Sequence, residues 1–238
     1  MAYYDTISKQ WHSATGYKGG AFKKLVLNEV LLSSIPDIQD QRILELGAGN
    51  GYFLPLLLGR FAGQMPAALV ITDQSVKLLE IAQKNFGLWQ ASYQRLDVRH
   101  RFPFAESDFD LLLATMVFNE IASAGLKRAL KECYRVLSDE GLLLITITHP
   151  TFIDSLDKRG LLKHTQRGLW TMPGAGSLRL PVVARSLNTY RSLLTKAGFT
   201  FVEMEVFPND AVQTSKPGLR KAGRVPLALL FKCLKTGG

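Results

Sequence analysis

From about residue 42 to 147, short apolar runs alternate with longer segments in which apolar side chains recur at helical spacing. RILEL (42–46), ALVIT (68–72), ASYQRL (91–96), DLLLAT (110–115) and GLLLITI (141–147) read as strands. Most of these runs are continuously apolar, which is the pattern of strands covered on both faces. Helices are expected at 21–34, ahead of the first strand, at 75–86 with a serine to cap it, and at 120–137 before a turn at Ser138–Gly141. Strands alternating with helices in this way predict an α/β protein with a parallel sheet and crossover helices.

The pattern weakens after Pro150 for about 35 residues that hold Pro173, Gly174, Gly176 and Pro181, so 150–185 reads as an insertion or lid and not as a second domain. It returns at the end of the chain. SLNTYRSLLTKAG (186–198) predicts a helix with a glycine stop, FTFVEMEVF (199–207) alternates with period two, and VPLALLFKCL (225–234) reads as a last strand with Pro226 near its start.

With 238 residues, of which 47% are hydrophobic and 21% charged, the chain is long enough for one large globular domain and unlike a disordered or fibrous one. No apolar stretch approaches the ~18 residues of a spanning helix, and the polar start MAYYDTISKQWHS does not resemble a secretory segment, so a cytoplasmic protein without membrane contact is expected. Cys133 and Cys233 are too few for a disulfide framework or metal knuckle. Charge is balanced over 1–150, with 15 basic and 15 acidic residues, whereas 151–238 holds 14 against 5. Either an anionic partner or a solubilising surface accounts for that bias.

The most specific local signal is ILELGAGNGYF (43–53), a buried strand running into Gly47, Gly49 and Gly51 before a helix. Glycines at such a turn let a ligand approach the backbone and the N–H groups of the helix start. A dinucleotide site would favour a small residue at position 52, where this chain has Tyr52. Asp73, closing the second strand, stands where a carboxylate can accept hydrogen bonds from two ribose hydroxyls. Asp97, closing the third, could meet an adenine amino group, with Val98 against the ring. Each acid alone also reads as a helix cap or loop residue; together, after successive strands, they favour a nucleoside pocket.

On these residues the sequence resembles the class I S-adenosylmethionine-dependent methyltransferases of the small-molecule type. LELGAGNG is similar to their first motif, TDQS to their ribose-binding acid, LDV to their adenine-binding segment and FDLLLATMVFNEI to their fourth strand and following loop. The resemblance covers about 40–150 well and the remainder loosely. It implies a Rossmann-like α/β fold, a seven-stranded mostly parallel sheet with helices on both faces and an antiparallel last strand. It also implies S-adenosyl-L-methionine as cofactor, with Glu45, Gly47, Ala48, Gly49 and Gly51 at the methionine end. Asp73 and Gln74 would take the ribose and adenine, Asp97 and Val98 the adenine, and Thr115 and Met116 the far wall. The aromatic first twenty residues would fold over the cofactor, placing Trp11, His12 and Tyr17 near the methionine or the acceptor; packing on the sheet edge is the competing reading.

Methyl transfer from a sulfonium is governed by alignment, and a base is needed only where the acceptor must lose a proton. His149, immediately after the fifth strand, is the first candidate for that base, with a backbone-bonded histidine beside Pro150 as the alternative. Asn119 and Glu120 compete for the work, although Glu120 also suits the first turn of a helix. The stretch ATMVFNEI lacks the signature of amino-directed nucleic-acid methyltransferases, there is no Pro-Cys nucleophile, and no Asp/Asn cluster suggests a metal. A small acceptor, anionic or carrier-tethered, is therefore expected, methylated on O, N or C. An RNA methyltransferase using Arg179, Arg185, Lys216, Arg220, Lys221 and Arg224 is the first alternative, and a non-catalytic nucleoside-binding module the second.

Overall fold

The computed structural model describes residues 3–87, 90–164, 170–173, 178–207 and 225–236; Gly174, Gly176, Lys216, Arg220, Lys221 and Arg224 lie outside them. The chain begins with helix α1 (Tyr3–Thr15), followed by α2 (Gly20–Phe22), a π-helical turn (Lys23–Leu27) and α3 (Asn28–Ser34). Strand β1 (Arg42–Leu46) leads through the glycine turn to α4 (Phe53–Arg60), β2 (Ala68–Asp73) to α5 (Val76–Phe86), and then to β3 (Ser92–Arg95). Strand β4 (Phe109–Thr115) is followed by α6 (Ser123–Val136), β5 (Leu137–Thr148) and α7 (Pro150–Lys158). Three short strands come next, β6 (Lys163–His164), β7 (Trp170–Pro173) and β8 (Arg179–Val182), and then α8 (Leu187–Ala197), β9 (Phe199–Val206) and β10 (Ala228–Lys235).

The main sheet has seven strands in the order β3-β2-β1-β4-β5-β10-β9, and β6, β7 and β8 pair separately. The first five strands are parallel, while β10 runs antiparallel to both β5 and β9. Helices cover both faces, as the apolar strands require. Leu44, Leu46, Leu112 and Ala114 pack with α6 and α8 through Leu126, Leu130, Tyr190 and Leu194. Ile43, Leu111 and Leu113 point the other way, onto Leu31, Phe53, Leu57 and Leu79 of α3, α4 and α5. Both cysteines are free and buried, and burial pushes their thiols up. Among the described residues no helix is long and apolar enough to cross a membrane.

Local signals account for most boundaries. Ser75 caps α5 by accepting the Leu78 N–H, Ser186 caps α8 through Thr189, and Gly198, at φ +103°, ends α8 in the left-handed conformation. Two boundaries differ from expectation. α6 begins at Ser123 and not at 120, and Ser138–Gly141 does not interrupt β5. There the ladder takes up the turn-forming residues as an irregularity: Phe109 pairs with Leu137, the register shifts before Leu111, and Glu140 adopts φ +63°.

Candidate functional site

Parallel strands place the ends of β1, β2, β4 and β5 along one edge of the sheet, and the loops after them build the site. The turn after β1 carries Gly47, Gly49 and Gly51 at φ +64°, +62° and +74°. A Cβ on Gly47 would lie 2.4 Å from Val117 Cγ2, so this residue brings the loops after β1 and β4 into contact that a side chain would prevent. The Ala48 N–H donates to the Thr72 carbonyl at 2.8 Å, tying the turn to β2.

Asp73 joins the two loops. Its Oδ2 accepts the Gly49 N–H and its Oδ1 the Ser75 N–H, each at 2.8 Å. Burial raises its pKa against the pull of those two N–H groups. Gln74 is half-buried beside it. Glu45 is buried two residues before Gly47, and burial pushes its pKa up to about 7, opposed by the Lys23 ammonium. Glu120 is pushed up to about 8, again by burial, and it accepts the Tyr4 hydroxyl at 2.6 Å. Three carboxyl groups thus share the field of one ammonium, whose own pKa is lowered by burial.

Helix α1 crosses this edge and is fastened to three loops. Tyr4 donates to Glu120 after β4, Ser75 Oγ after β2 donates to Asp5 Oδ1 at 2.6 Å, and His12 Nδ1 lies 3.0 Å from Asn50 Nδ2 in the glycine turn. Trp11 stacks edge-on with Tyr4, and its Nε1 lies 3.3 Å from where a Cβ on Gly49 would stand. Tyr17, by contrast, is 59% exposed and leans on His12 and Phe86, away from the carboxyl cluster. Tyr4 and Lys23, absent from the expected site residues, prove central to it. Their only local signal was membership of an aromatic segment and of an amphipathic helix.

The remaining expected residues divide. Thr115 and Asn119 are buried after β4, with Thr115 Oγ1 and Asn119 Oδ1 lacking partners. Met116 sits at φ +61°, an uncommon conformation for a side-chain-bearing residue, and donates its N–H to the Thr146 carbonyl at 2.9 Å. Val98 is buried with Leu96 and Phe102, while the Asp97 carboxylate is held by Arg99 at 2.6 Å, which with other hydrogen bonds keeps its pKa low.

His149 is not brought to the cluster. Its Nδ1 accepts the Thr151 N–H and caps α7, and its Nε2 lies 3.4 Å from Glu205. Glu205, Leu229 and Ile147 are register partners on one sheet face, whereas Glu45, Thr115 and Thr146 lie on the other. Burial lowers the His149 pKa. Glu120 in turn is no first-turn acid, because α6 starts three residues later and the side chain turns inward. Arg185 does not offer itself to phosphate. Buried, it donates to the Phe118 and Ile121 carbonyls and to Tyr190 Oη, bracing the 118–121 loop, for which Val183 N–H also binds the Asn119 carbonyl.

The protonation of the cluster sets a pH dependence. The folded state keeps protons on Glu45 up to about 7 and on Glu120 up to about 8, whereas an unfolded chain releases them near 4.5. Between those limits the folded state binds more protons, so stability falls as pH rises. Thermal unfolding of the cofactor-free protein is expected to show that decline between about pH 5 and 8. Glu120→Gln should flatten it and raise the midpoint at the alkaline end; an unchanged slope would remove Glu120 from the account.

The fold and this edge define a mostly parallel α/β sheet whose strand ends carry a glycine turn and a cluster of buried carboxyl groups. A family model described as a methyltransferase domain matches residues 43–141. A malonyl-[acyl-carrier protein] O-methyltransferase from Geobacter sulfurreducens is 29% identical over 195 residues, covering 81% of this chain and 68% of that protein. Its counterpart from Methylococcus capsulatus is 31% identical over 150 residues, and the alignment spans 58% of this chain and about half (52%) of that relative. An S-adenosylmethionine dependent methyltransferase from Mesorhizobium loti has the same fold, with a TM-score of 0.67 at 19% identity over 90% of this chain and 98% of that one.

Residues 43–141 match a methyltransferase domain and the chain has the fold of S-adenosylmethionine-dependent methyltransferases, which implies S-adenosylmethionine as cofactor. The residues present suit that group. The carboxyl cluster complements a sulfonium and an amino group, and Thr115 and Asn119, at the end of β4 and in the loop after it, keep unpaired polar atoms.

Proposed function

We propose that this methyltransferase acts on a small carboxylated acceptor presented on a carrier, and that the atom methylated is a carboxylate oxygen. The relatives named for malonyl-[acyl-carrier protein] supply the carrier and the acid. The observation that carries the oxygen assignment is the engagement of His149 as a helix cap on the far face, with its Nδ1 already accepting the Thr151 N–H. A carboxylate is an ionised nucleophile at neutral pH and needs no base. The cofactor supplies an electrophilic methyl group; a C–O bond forms as the C–S bond breaks, and the electron pair stays on sulfur.

In this reading Glu45 and the 47–51 turn hold the methionine end, Asp73 and Gln74 the ribose and adenine, and Asp97 and Val98 the adenine rim. Thr115, Met116, Asn119 and Glu120 border the reacting centre, where alignment supplies most of the acceleration. Helix α1, with Trp11 and His12, serves as the lid over the 40–150 core, and 150–185 forms the acceptor side. Closing that lid excludes water from an alkylating centre.

The test is a labelled-donor assay with a malonyl thioester on a carrier protein, the free diacid, an amine and an RNA. A base-labile methyl ester on the carrier-bound acid is the expected product. Transfer to the amine or RNA alone would overturn the reading.

A further inference from the structure

Arg185 is buried just ahead of α8, where the chain returns from 150–185, and its guanidinium carbon lies 4.9 Å from the centre of the Tyr190 ring. Nη2 donates to the Ile121 carbonyl at 2.6 Å, Nη1 to the Phe118 carbonyl at 3.2 Å and to Tyr190 Oη at 2.9 Å, and Nε to Ser123 Oγ at 3.3 Å. Among the described residues no carboxylate pairs with it. A buried guanidinium held only by neutral acceptors recovers less of its desolvation cost than one facing a carboxylate, so stability alone is a poor reason to place the charge there. What arginine supplies is a planar fork with fixed donor directions.

The two carbonyls it takes flank Asn119 and Glu120. The Asn119 carbonyl is taken as well, by the Val183 N–H at 2.8 Å. Val182 is buried with Phe152, Ile153 and Leu156 of α7, so the clamp is fixed in the acceptor-side segment. The backbone of the loop is thus held from one side while its side chains are left for other partners. Asn119 Oδ1 is buried without a hydrogen bond, and Glu120 accepts the Tyr4 hydroxyl of α1. Buried polar atoms are nearly always paired, and a supporting shell that locks the backbone around an unpaired one suits a residue kept for a ligand.

We propose that Arg185 is a positioning residue for methyl transfer: through the carbonyls on either side of them it fixes Asn119 and Glu120 at the reacting centre, and it ties their loop to the acceptor-side segment. This role rests on the placing of Asn119 and Glu120 at the reacting centre proposed above. Displacing an aligned group by about 1 Å costs on the order of 100-fold in rate. Lysine carries the same charge without the fork, so it cannot hold both carbonyls in one geometry.

The experiment places Arg185→Lys in wild-type, Asn119→Ala and Glu120→Gln backgrounds. Turnover is measured with a malonyl thioester on a carrier protein, per cofactor site counted by S-adenosylhomocysteine titration, and amide exchange is followed over 117–121. Arg185→Lys should lower kcat per site at least about tenfold with acceptor KM kept within about twofold, and speed exchange in 117–121 but not in β1 or β2. In at least one of the other two backgrounds it should cost less than about threefold more, since coupled residues are not additive. A merely structural role predicts unchanged kcat per site, additive losses in both backgrounds or faster exchange throughout the sheet, and any of these would overturn the proposal. Should Arg185→Lys bind no S-adenosylhomocysteine, Tyr190→Phe decides: it keeps the ring, removes one acceptor of the fork and should lower kcat per site about threefold, and wild-type turnover in it would overturn the proposal. If Asn119→Ala and Glu120→Gln both keep kcat, the placing of the loop fails and this role with it; if either lowers kcat while Arg185→Lys does not, only this role fails. A wild-type protein inert toward that acceptor would overturn the proposed function, and exchange over 117–121 would still decide whether Arg185 holds the loop.

Discussion

Gly51→Ala is expected to destabilise the protein by about 2–4 kcal/mol, combining a left-handed backbone cost with an overpacking cost. Gly51 lies at φ +74°, and its new Cβ would stand 2.8 Å from Ala82 Cβ and 3.4 Å from Ala82 Cα. Ala82 is fully buried on α5 and has no rotamer to turn aside, so the glycine turn or the helix must shift. Since the same turn presents Gly49 to Asp73, cofactor affinity should fall with stability. Gly59→Ala is the control: it lies in α4 with nothing within 4 Å of the added methyl, and it should be neutral or slightly stabilising. Urea unfolding of both variants measures the difference, and a Gly51→Ala protein as stable as the control would contradict the close packing of the turn.

Asp73→Ala is the second large effect. Its carboxylate accepts from Gly49 and Ser75, so truncation leaves two N–H groups without their acceptor, each costing about 1–3 kcal/mol where water cannot reach. Binding of S-adenosylhomocysteine is expected to weaken by at least about tenfold, as charged hydrogen bonds to ribose would be lost with the turn geometry. Asp73→Asn keeps an oxygen for one of the N–H groups while removing the charge. It should therefore recover part of the stability and little of the affinity. Calorimetry showing wild-type affinity in both variants would remove Asp73 from the ribose site.

How much of this could be read beforehand follows from the range of each signal. Mostly apolar runs at 42–46 and 110–115 reported burial on both faces, and they are the adjacent strands β1 and β4 in the middle of the sheet. The glycine turn was visible because Gly47, Gly49 and Gly51 lie within five residues. Ser138–Gly141 misled, since turn-forming residues describe local preference and the ladder with β4 accommodated them. For His149 the sequence left two readings, a base or a backbone-bonded histidine beside Pro150, and the geometry matches the second: its Nδ1 accepts the Thr151 N–H, and strand alternation sets it on the opposite face from Glu45.

Periodicity and motif spacing by themselves determined the α/β alternation and the set of strand-end residues available to the site, because each depends on neighbours a few positions apart, and the sulfonium cofactor came from the resemblance of those motifs to a known family. Only the tertiary structure decided which of those residues meet. Tyr4 reaches Glu120 across 116 positions, Asp5 reaches Ser75 across 70, and Lys23 enters the carboxyl cluster from a helix whose sequence looks like any amphipathic surface helix. Those encounters are set by strand order and by the path of α1 across the sheet edge. A side chain's charge state follows from them, since burial and distant neighbours, not the residue's own type, carry Glu120 to about 8.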